Sequence, residues 1–277
     1  MLQVIVSPAK QMRIERDAFE PRGIPPFPQK TERLYRALRD LERTAGAAGL
    51  KELWRVNDKL LEQNIERLHD FEPVPSEAAF DDALVARRTS AAVFSYVGIQ
   101  FQSLAPEVLD LDALDWLQEH LWILSGFYGC ARPFDAVQPY RLEMGAKLAV
   151  DGARDLYAFW GDLLARAICA DGPVCVVNLA SVEYAKAVLP HLPADSHTTT
   201  CIFGEELRGG KPVQRATASK IARGSMVRWM AEHGIKDACE LTRFDVGYAY
   251  CPELSHEGRD RAGRSTQTLV FMKRAQP

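Results

Sequence analysis

Residues 124–145 constrain the fold of this chain more than any other segment. Their sequence, LSGFYGCARPFDAVQPYRLEMG, contains three glycines, two prolines and two arginines. Because glycine and proline interrupt the periods of both helix and strand, the segment must turn back on itself. Such a turn brings backbone N–H groups and guanidinium groups together, which favours the binding of an anion such as phosphate.

The turn in this segment contains Gly126 and Gly129, with Phe127 and Tyr128 between them. Glycine at such positions permits a positive φ and the close approach of another backbone. An alternative is a purely structural turn whose arginines pair with Asp135 and Glu143. The candidate phosphate-binding residues of the segment are Ser125, Gly126, Tyr128, Gly129, Arg132 and Arg141. Cys130 is its candidate redox-sensitive thiol, although a buried cysteine is more often a small packed group.

The hydrophobic patterns along the chain predict both strands and helices, interleaved irregularly. Strands are predicted at residues 2–6, 174–179, 202–203, 213–217, 247–251 and 268–272. Helices are predicted at residues 31–45, 57–71, 76–88, 110–124, 155–170, 181–189 and 217–233. With 277 residues and no linker-like tract, the chain is expected to form a single domain over residues 1–277. The expected class is α+β, with a mixed sheet surrounded by helices.

Two predicted strands are followed by polar residues. Lys10 comes after the first strand, in the sequence SPAK, and ligands of open α/β sheets gather beyond the carboxyl ends of strands. Read alone, Lys10 is as well explained by an exposed position after a proline turn. Asn178 ends the second of these strands, and Ser181 is the expected N-cap of a helix that carries Tyr184 and Lys186. Asn178 is equally suited to satisfying buried backbone groups.

Residues 208–236 form a basic stretch, with seven arginines and lysines against one acid, Glu232. Lys220 and Arg223 lie three apart on the predicted helix and therefore project from one face. This pattern is typical of a surface that binds phosphate backbones, although charge runs are often solvated helix faces. The net charge of the whole chain is −3, so binding to nucleic acid would need a local patch.

Other classes of protein and site are not indicated. No window of about 18 apolar residues predicts a membrane span, and residues 1–10 resemble a buried strand rather than a signal peptide. The six cysteines include no CxxC pair, which is typical of reduced thiols in a cytoplasm. The histidines and cysteines form no defensible ligand set for iron or zinc, so no metal and no cofactor are predicted.

Several motifs together resemble the bacterial peroxide stress protein YaaA family. They are SPAK, SGFYGCARPFDAVQPYRLEMG, LYAFWGD, VVNLASVEY and the closing TLVFMK. The resemblance implies a cytoplasmic, single-domain protein that limits hydrogen peroxide damage and keeps unincorporated intracellular iron low. It also implies a helix–hairpin–helix element and a positive cleft that binds double-stranded DNA.

Carried onto this chain, the resemblance places the hairpin at Ser125, Gly126, Tyr128 and Gly129. Polar or basic groups of the family fall at Lys10, Arg132, Arg141, Lys186, Lys220 and Arg223. Two positions depart from the family pattern: Pro133 follows the hairpin, and Val182 stands where the motif SDEY has an acid.

Two functions follow from these residues. The first is non-specific binding of double-stranded DNA through a basic cleft, which weakens as salt rises. The second is an enzyme that acts on a phosphorylated or nucleotide-like small molecule, because the polar residues are more varied than phosphate binding alone requires. A deep pocket would favour the enzyme, and a long basic groove would favour DNA.

Overall fold

A short apolar run near the start of the chain forms an interior strand of the main sheet in a computed structural model, which describes residues 1–15 and 19–274. All five residues of this strand, Leu2–Val6, are buried. Such a strand is covered on both faces, as expected of a parallel sheet. It pairs in parallel with Leu121–Ser125 on one side and with Cys175–Leu179 on the other.

Strands and helices are interleaved irregularly along the described ranges. The strands are β1 (Leu2–Val6), β2 (Gln11–Met12), β3 (Ser90–Ala91), β4 (Tyr96–Val97), β5 (Leu121–Ser125), β6 (Gly129–Ala131), β7 (Ala136–Val137), β8 (Cys175–Leu179), β9 (His197–Gly204), β10 (Glu206–Arg208), β11 (Lys211–Val213), β12 (Tyr248–Tyr250), β13 (His256–Arg259) and β14 (Ser265–Lys273). The α-helices are α1 (Pro28–Trp54), α2 (Asp58–Asp70), α3 (Ala83–Arg88), α4 (Ala92–Ser95), α5 (Ile99–Leu104), α6 (Leu111–His120), α7 (Leu156–Trp160), α8 (Leu163–Ile168), α9 (Val182–Ala185) and α10 (Ala216–Glu232). Short 3₁₀ turns lie at Glu77–Asp81, Pro106–Val108, Leu189–His191, Ala238–Arg243 and Pro252–Leu254.

The main sheet has the spatial order β12-β14-β9-β8-β1-β5-β6, with β13 also paired to β14. Its five middle strands, from β14 to β5, are parallel, and the strands at its edges are antiparallel. The predicted mixed sheet surrounded by helices is therefore confirmed. Numbered along the chain, the parallel strands have the order 2-1-3-4-5, which reverses direction between β1 and β8.

The predicted helix over residues 110–124 is corrected, because only its first part is helical. Asp110 caps α6 by accepting a hydrogen bond from the Ala113 N–H at 2.9 Å. The helix ends at His120, and Leu121 has an extended backbone with φ −91° and ψ 137°. The remaining leucines lie in β5, where they are buried between β1 and β6. A leucine repeat at spacing three or four fits a helix face and a fully buried strand equally well.

The expected helix–hairpin–helix is not confirmed, because the described residues on both sides of the glycine turn are strands. β5 and β6 form an antiparallel pair in which Ser125 is opposite Gly129. Gly129 has φ +77°, and a Cβ there would lie 2.9 Å from the Trp160 ring. Glycine is therefore required by the turn and by the packing of Trp160, whatever the turn binds.

Other predicted boundaries also differ from the structure. The helix at 155–170 is divided into α7 and α8 at Gly161, which has φ +52°. The helix at 31–45 extends over α1, with a break at Gly46. The strand at 213–217 ends at Val213, and residues 76–88 form a 3₁₀ turn followed by α3. The predicted turn at Gly209 and Gly210 is confirmed, with φ of +57° and +75°, between β10 and β11.

Candidate functional site

A pocket of about 510 Å³ lies where the carboxyl ends of β1 and β8 meet. Ser7 follows β1 and Ser181 follows β8, and both residues line the pocket. The Ser181 N–H donates to Ser7 Oγ at 2.8 Å, and the two hydroxyls are 3.2 Å apart. This is the point where the parallel strand order reverses, which is the usual ligand position in open α/β sheets.

Four basic side chains from three separate segments line this pocket. Lys10 follows β1, Arg141 follows β7, and Lys220 and Arg223 lie on α10. We call these four residues the cation cluster. Its members were all singled out in the sequence, and the structure brings them to one pocket. Arg132 and Lys186 are not among the residues that line it.

Two members of the cation cluster share one carboxylate. Lys10 Nζ is 3.1 Å from Glu143 Oε2, and an amino group of Arg141 donates to Glu143 Oε1 at 2.7 Å. Arg141 also donates to the backbone carbonyl of Lys10 at 3.2 Å. The guanidinium of Arg141 is therefore held in a fixed orientation, with its side chain only 10% exposed.

The other two members, Lys220 and Arg223, have no carboxylate partner among the described residues. Burial lowers the pKa of Arg223, whose guanidinium nevertheless stays charged at neutral pH. The nearby Cys201 does not supply a negative charge, because burial raises the pKa of its thiol to about 12. A half-buried cation without a counter-charge favours the binding of an anion.

Two buried N–H groups of the cation cluster also lack partners. Within the described ranges, neither Arg141 Nε nor Arg223 Nε makes a hydrogen bond. Native proteins satisfy nearly all buried donors, so each exception calls for an explanation. Both residues line the same pocket, but the two Nε atoms themselves are buried away from its surface.

Aromatic and apolar side chains form much of the remaining wall. Phe101, Tyr140 and Tyr184 line the pocket and are each less than one-tenth exposed. Tyr140 Oη lies 2.6 Å from Ser125 Oγ and 3.2 Å from Tyr96 Oη. Burial raises the pKa of both Tyr140 and Tyr184, so these hydroxyls stay protonated at neutral pH. The wall therefore provides neutral rings and hydroxyl groups.

The candidates in the glycine turn are buried structural residues. Ser125 Oγ accepts hydrogen bonds from the N–H groups of Phe127 and Tyr128, at 3.1 and 2.8 Å. Tyr128 Oη donates to the carbonyl of Gln138 and accepts from its N–H. A Cβ on Gly126 would lie 2.5 Å from the Leu142 carbonyl oxygen. The turn thus presents no free N–H groups of Phe127 or Tyr128 to an anion.

Arg132 and Lys186 are held away from the pocket. Arg132 donates to Gln3 Oε1 and to the Glu119 carbonyl, near the amino end of β1, and its guanidinium stacks over Trp122 at 3.8 Å. Lys186 Nζ lies 4.4 Å from the centre of the Tyr157 ring. Their expected convergence with the other cations is therefore corrected, because each is engaged by local partners.

Three further candidates have structural contacts. Asn178 Oδ1 accepts from the Ala180 N–H at 3.1 Å, as expected of a residue that satisfies buried backbone. Ser181 precedes α9, but its side chain makes no capping hydrogen bond. Cys130 is fully buried, and burial raises the pKa of its thiol. Since the thiolate is the reactive form, this environment makes Cys130 unreactive.

The basic stretch at 208–236 is not one continuous patch. Arg208 and Arg215 pair with Glu206, Arg215 also pairs with Glu205, and Arg228 pairs with Glu232. Only Lys220 and Arg223 of the stretch line the pocket. The stretch therefore contributes one turn of α10 to the site.

The sequence interpretation missed Glu183 and the segment 97–101. Glu183 lines the pocket, and its Oε1 accepts from the Gly145 N–H at 2.8 Å. Residues 97–101 supply wall residues between β4 and α5, including Gln100, whose amide donates to the Ser7 carbonyl. Gly98 before an apolar helix was the available signal, but no local motif connects it to β1.

None of the helices in the described ranges is long and apolar enough to cross a membrane. No three histidine, cysteine, aspartate or glutamate side chains in those ranges are grouped as metal ligands.

Comparison with known proteins gives a match over nearly the whole chain. Residues 2–254 match the model of a family described as "Peroxide stress protein YaaA". A UPF0246 protein of Pediococcus pentosaceus is 40% identical over 273 residues, which cover 98% of each chain. UPF0246 proteins of Lachnoclostridium phytofermentans and Desulfitobacterium hafniense are 38% and 37% identical, again over 98% of this chain. These alignments cover 96% and 98% of the two relatives.

Proposed function

The chain belongs to the peroxide stress protein YaaA family, and from this premise we propose that it protects against peroxide by binding double-stranded DNA. The binding is non-specific, acts on the phosphate backbone and takes place in the cytoplasm. The observation that carries the proposal is the convergence of Lys10, Arg141, Lys220 and Arg223 on one pocket. Arginine and lysine are the usual partners of DNA phosphates.

The charge balance of the pocket supports this proposal. Four cations face two carboxylates, Glu143 and Glu183, so the lining has a formal excess of positive charge. Lys220 and Arg223 have no carboxylate partner among the described residues, and they carry most of this excess. A DNA phosphate placed between them would supply the missing counter-charge.

Removing these two charges tests the proposal. In the double variant Lys220→Gln with Arg223→Gln, we expect affinity for a duplex to fall about tenfold at physiological salt, because phosphate contacts are lost. The slope of log K against log salt falls in magnitude by about 0.9 for each lost contact. Fluorescence anisotropy with a labelled duplex across a salt series measures both quantities.

The matched control is Arg208→Gln with Lys211→Gln. It removes the same charge from the exposed β10–β11 hairpin, outside the pocket lining. Equal effects of the two double variants would show that net charge, rather than the cation cluster, governs binding. Unchanged affinity in the α10 variant would remove the cluster from the proposal.

We further propose that the protein limits unincorporated iron in the cell, as its family likeness implies. Cells that lack the protein should contain more chelatable ferric iron after peroxide exposure, measured by electron paramagnetic resonance with desferrioxamine. Wild-type protein should restore the lower level, whereas the α10 double variant should not. Full restoration by that variant would separate the effect on iron from DNA binding.

A second candidate function is an enzyme acting on a phosphorylated or nucleotide-like small molecule. It is favoured by the pocket volume of about 510 Å³, which is within the range of small-molecule sites. Glu143 is the candidate acid or base, and its carboxylate contacts Lys10 and Arg141. Incubation with nucleotides followed by chromatography of the products distinguishes turnover from binding.

A further inference from the structure

The pocket combines two kinds of surface that a bare phosphate does not need together. Its cation cluster suits an oxyanion, whereas Val97, Ile99, Phe101 and Leu142 offer apolar contacts. A single phosphate group would occupy a small part of about 510 Å³. The remaining space, with its apolar and aromatic lining, suits a flat ring attached to that phosphate.

Hydrogen-bonding groups are also present among these apolar residues. Gln11 and Gln100 line the pocket and carry amides, of which the Gln100 amide donates to the Ser7 carbonyl and the Gln11 side chain is exposed. Amide groups pair with the donor and acceptor edges of nucleobases, and aromatic rings stack on base faces. The lining thus offers an apolar and aromatic wall for a base and the exposed Gln11 amide for its edge.

The position of the pocket supports the same ligand class. It lies at the reversal point of a 2-1-3-4-5 parallel order, between β1 and β8. In folds with this order, the reversal point is where nucleotide cofactors bind. Hydrogen bonds between Ser7 and Ser181 connect the segments that follow β1 and β8 at this point.

We propose that this pocket binds one nucleotide unit, with its phosphate at the cation cluster and its base against the aromatic and apolar wall. The inference rests on the phosphate binding proposed above and names the ligand unit. Such a unit has two sources: a free nucleotide, or a nucleotide turned out of a DNA duplex. A base that remains stacked in a duplex has no access to a concave pocket, so DNA must present an unstacked one.

The edge of the pocket carries exposed apolar side chains, which suits an unstacked DNA site. Ile99 lines the pocket and is 38% exposed, and Val182, between the lining residues Ser181 and Glu183, is 87% exposed. Apolar side chains at such edges insert beside base steps in proteins that unstack DNA. Val182 is a departure from the family motif, so this contact would be a property of this chain.

The test fills the pocket while keeping its charges. Ile99→Trp is the main variant, Gln11→Trp is a second one at an exposed lining residue, and Val108→Trp is the control at an exposed residue outside the lining. Circular dichroism and thermal unfolding confirm that each variant folds. The binding of two kinds of ligand, duplex DNA and a free nucleotide, is then measured for the wild type and every variant.

In the DNA arm, anisotropy compares a fully paired duplex with one that contains a single mismatch. We expect the wild type to bind the mismatched duplex at least fivefold more tightly, and 2-aminopurine at the mismatch to gain fluorescence as it unstacks. Ile99→Trp or Gln11→Trp should abolish the preference, because each should weaken binding of the mismatched duplex more than binding of the paired duplex. Val108→Trp should change neither.

In the free-nucleotide arm, calorimetry compares deoxyadenosine monophosphate with inorganic phosphate. Binding of the nucleotide at least tenfold more tightly than phosphate, lost in the pocket-filling variants, supports the proposal with a free nucleotide as the source. The proposal is overturned if the wild type shows neither a mismatch preference nor a nucleotide preference. It is also overturned if the pocket-filling variants weaken paired-duplex binding as much as mismatch binding.

These arms separate this inference from the function on which it rests. If the paired duplex binds and neither preference appears, DNA binding stands and the nucleotide pocket fails. If no duplex binds but deoxyadenosine monophosphate does, the DNA proposal fails and the pocket stands.

Discussion

Glu143 sits between two cations that the proposed ligand would use. Its carboxylate contacts Lys10 at 3.1 Å and Arg141 at 2.7 Å. An incoming phosphate therefore competes with a negative charge that already belongs to the protein. The same contact keeps both cations oriented when no ligand is bound.

Replacing this carboxylate should strengthen binding. In Glu143→Gln we expect affinity for duplex DNA to rise about fivefold, because removing a partly exposed carboxylate that competes for two cations is worth about 1 kcal/mol. Anisotropy at low and physiological salt measures the gain, with Glu62→Gln on α2 as the control for net charge. A loss of affinity instead would mean that Glu143 itself contacts the ligand.

The sequence predicted some residues of the pocket correctly and missed or misplaced others, for a physical reason. Lys10, Arg141, Lys220 and Arg223 were found because each stands beside a turn or on a charged helix face. Glu183 was missed because its role depends on the Gly145 N–H, 38 positions away. Arg132 was misplaced, since nothing local indicates that its guanidinium stacks on Trp122.

At the scale of elements, α10 delivers two cations to the pocket by packing tightly on α5. A Cβ on Gly224 would lie only 2.0 Å from the Gln100 carbonyl oxygen. The small residue lets the two helices approach, and Gln100 and Arg223, beside this contact, both line the pocket. The helix contact and the site are therefore coupled.

Gly224→Ala should both destabilise the fold and weaken the site. We expect a loss of about 1–3 kcal/mol in the free energy of unfolding, because the added methyl group overpacks the helix contact. Displacement of α10 should also lower duplex affinity in the folded protein. Urea unfolding and anisotropy measure the two effects, and Ser225→Ala on the same helix is the control. An unchanged unfolding midpoint would contradict the close packing.

The prediction of helices and strands was wrong where one sequence pattern is compatible with both structures. The leucines at 110–124 continue at helical spacing, but those after His120 are needed by the sheet, beside β1. Tertiary pairing decides such cases, because a buried strand and a helix core both require apolar residues. The break at Gly161 was visible as a glycine in the pattern, although its positive φ was not.

At the scale of the whole molecule, a buried carboxyl group should make stability depend on pH. Burial raises the pKa of Asp135 from 3.8 to about 6, even though the carboxylate accepts a 2.7 Å hydrogen bond from the Arg132 N–H. Because the pKa is higher in the folded state, protonation favours folding. This contribution is complete below about pH 4 and is lost as the pH rises through 6.

The comparison with Asp135→Asn isolates this group. Between pH 4 and pH 7.5, the unfolding free energy of the wild type, relative to that of the variant, should fall by up to about 3 kcal/mol. Chemical unfolding across this range measures the difference, with exposed Asp245→Asn as the control. A constant difference between wild type and Asp135→Asn would mean that the carboxyl group titrates normally.

The interior position of β1, between β5 and β8, has a consequence for synthesis. Val4 pairs with Leu121 on one side and with Val177 on the other, so β1 has both neighbours only after Val177 has been synthesised. At a synthesis rate of about 5–20 residues per second, β1 waits roughly 10–30 s until its second neighbour, β8, has been made. During that time the edge of β1 that later pairs with β8 has no partner strand, and the hydrogen bonds that join Ser7 to Ser181 cannot form.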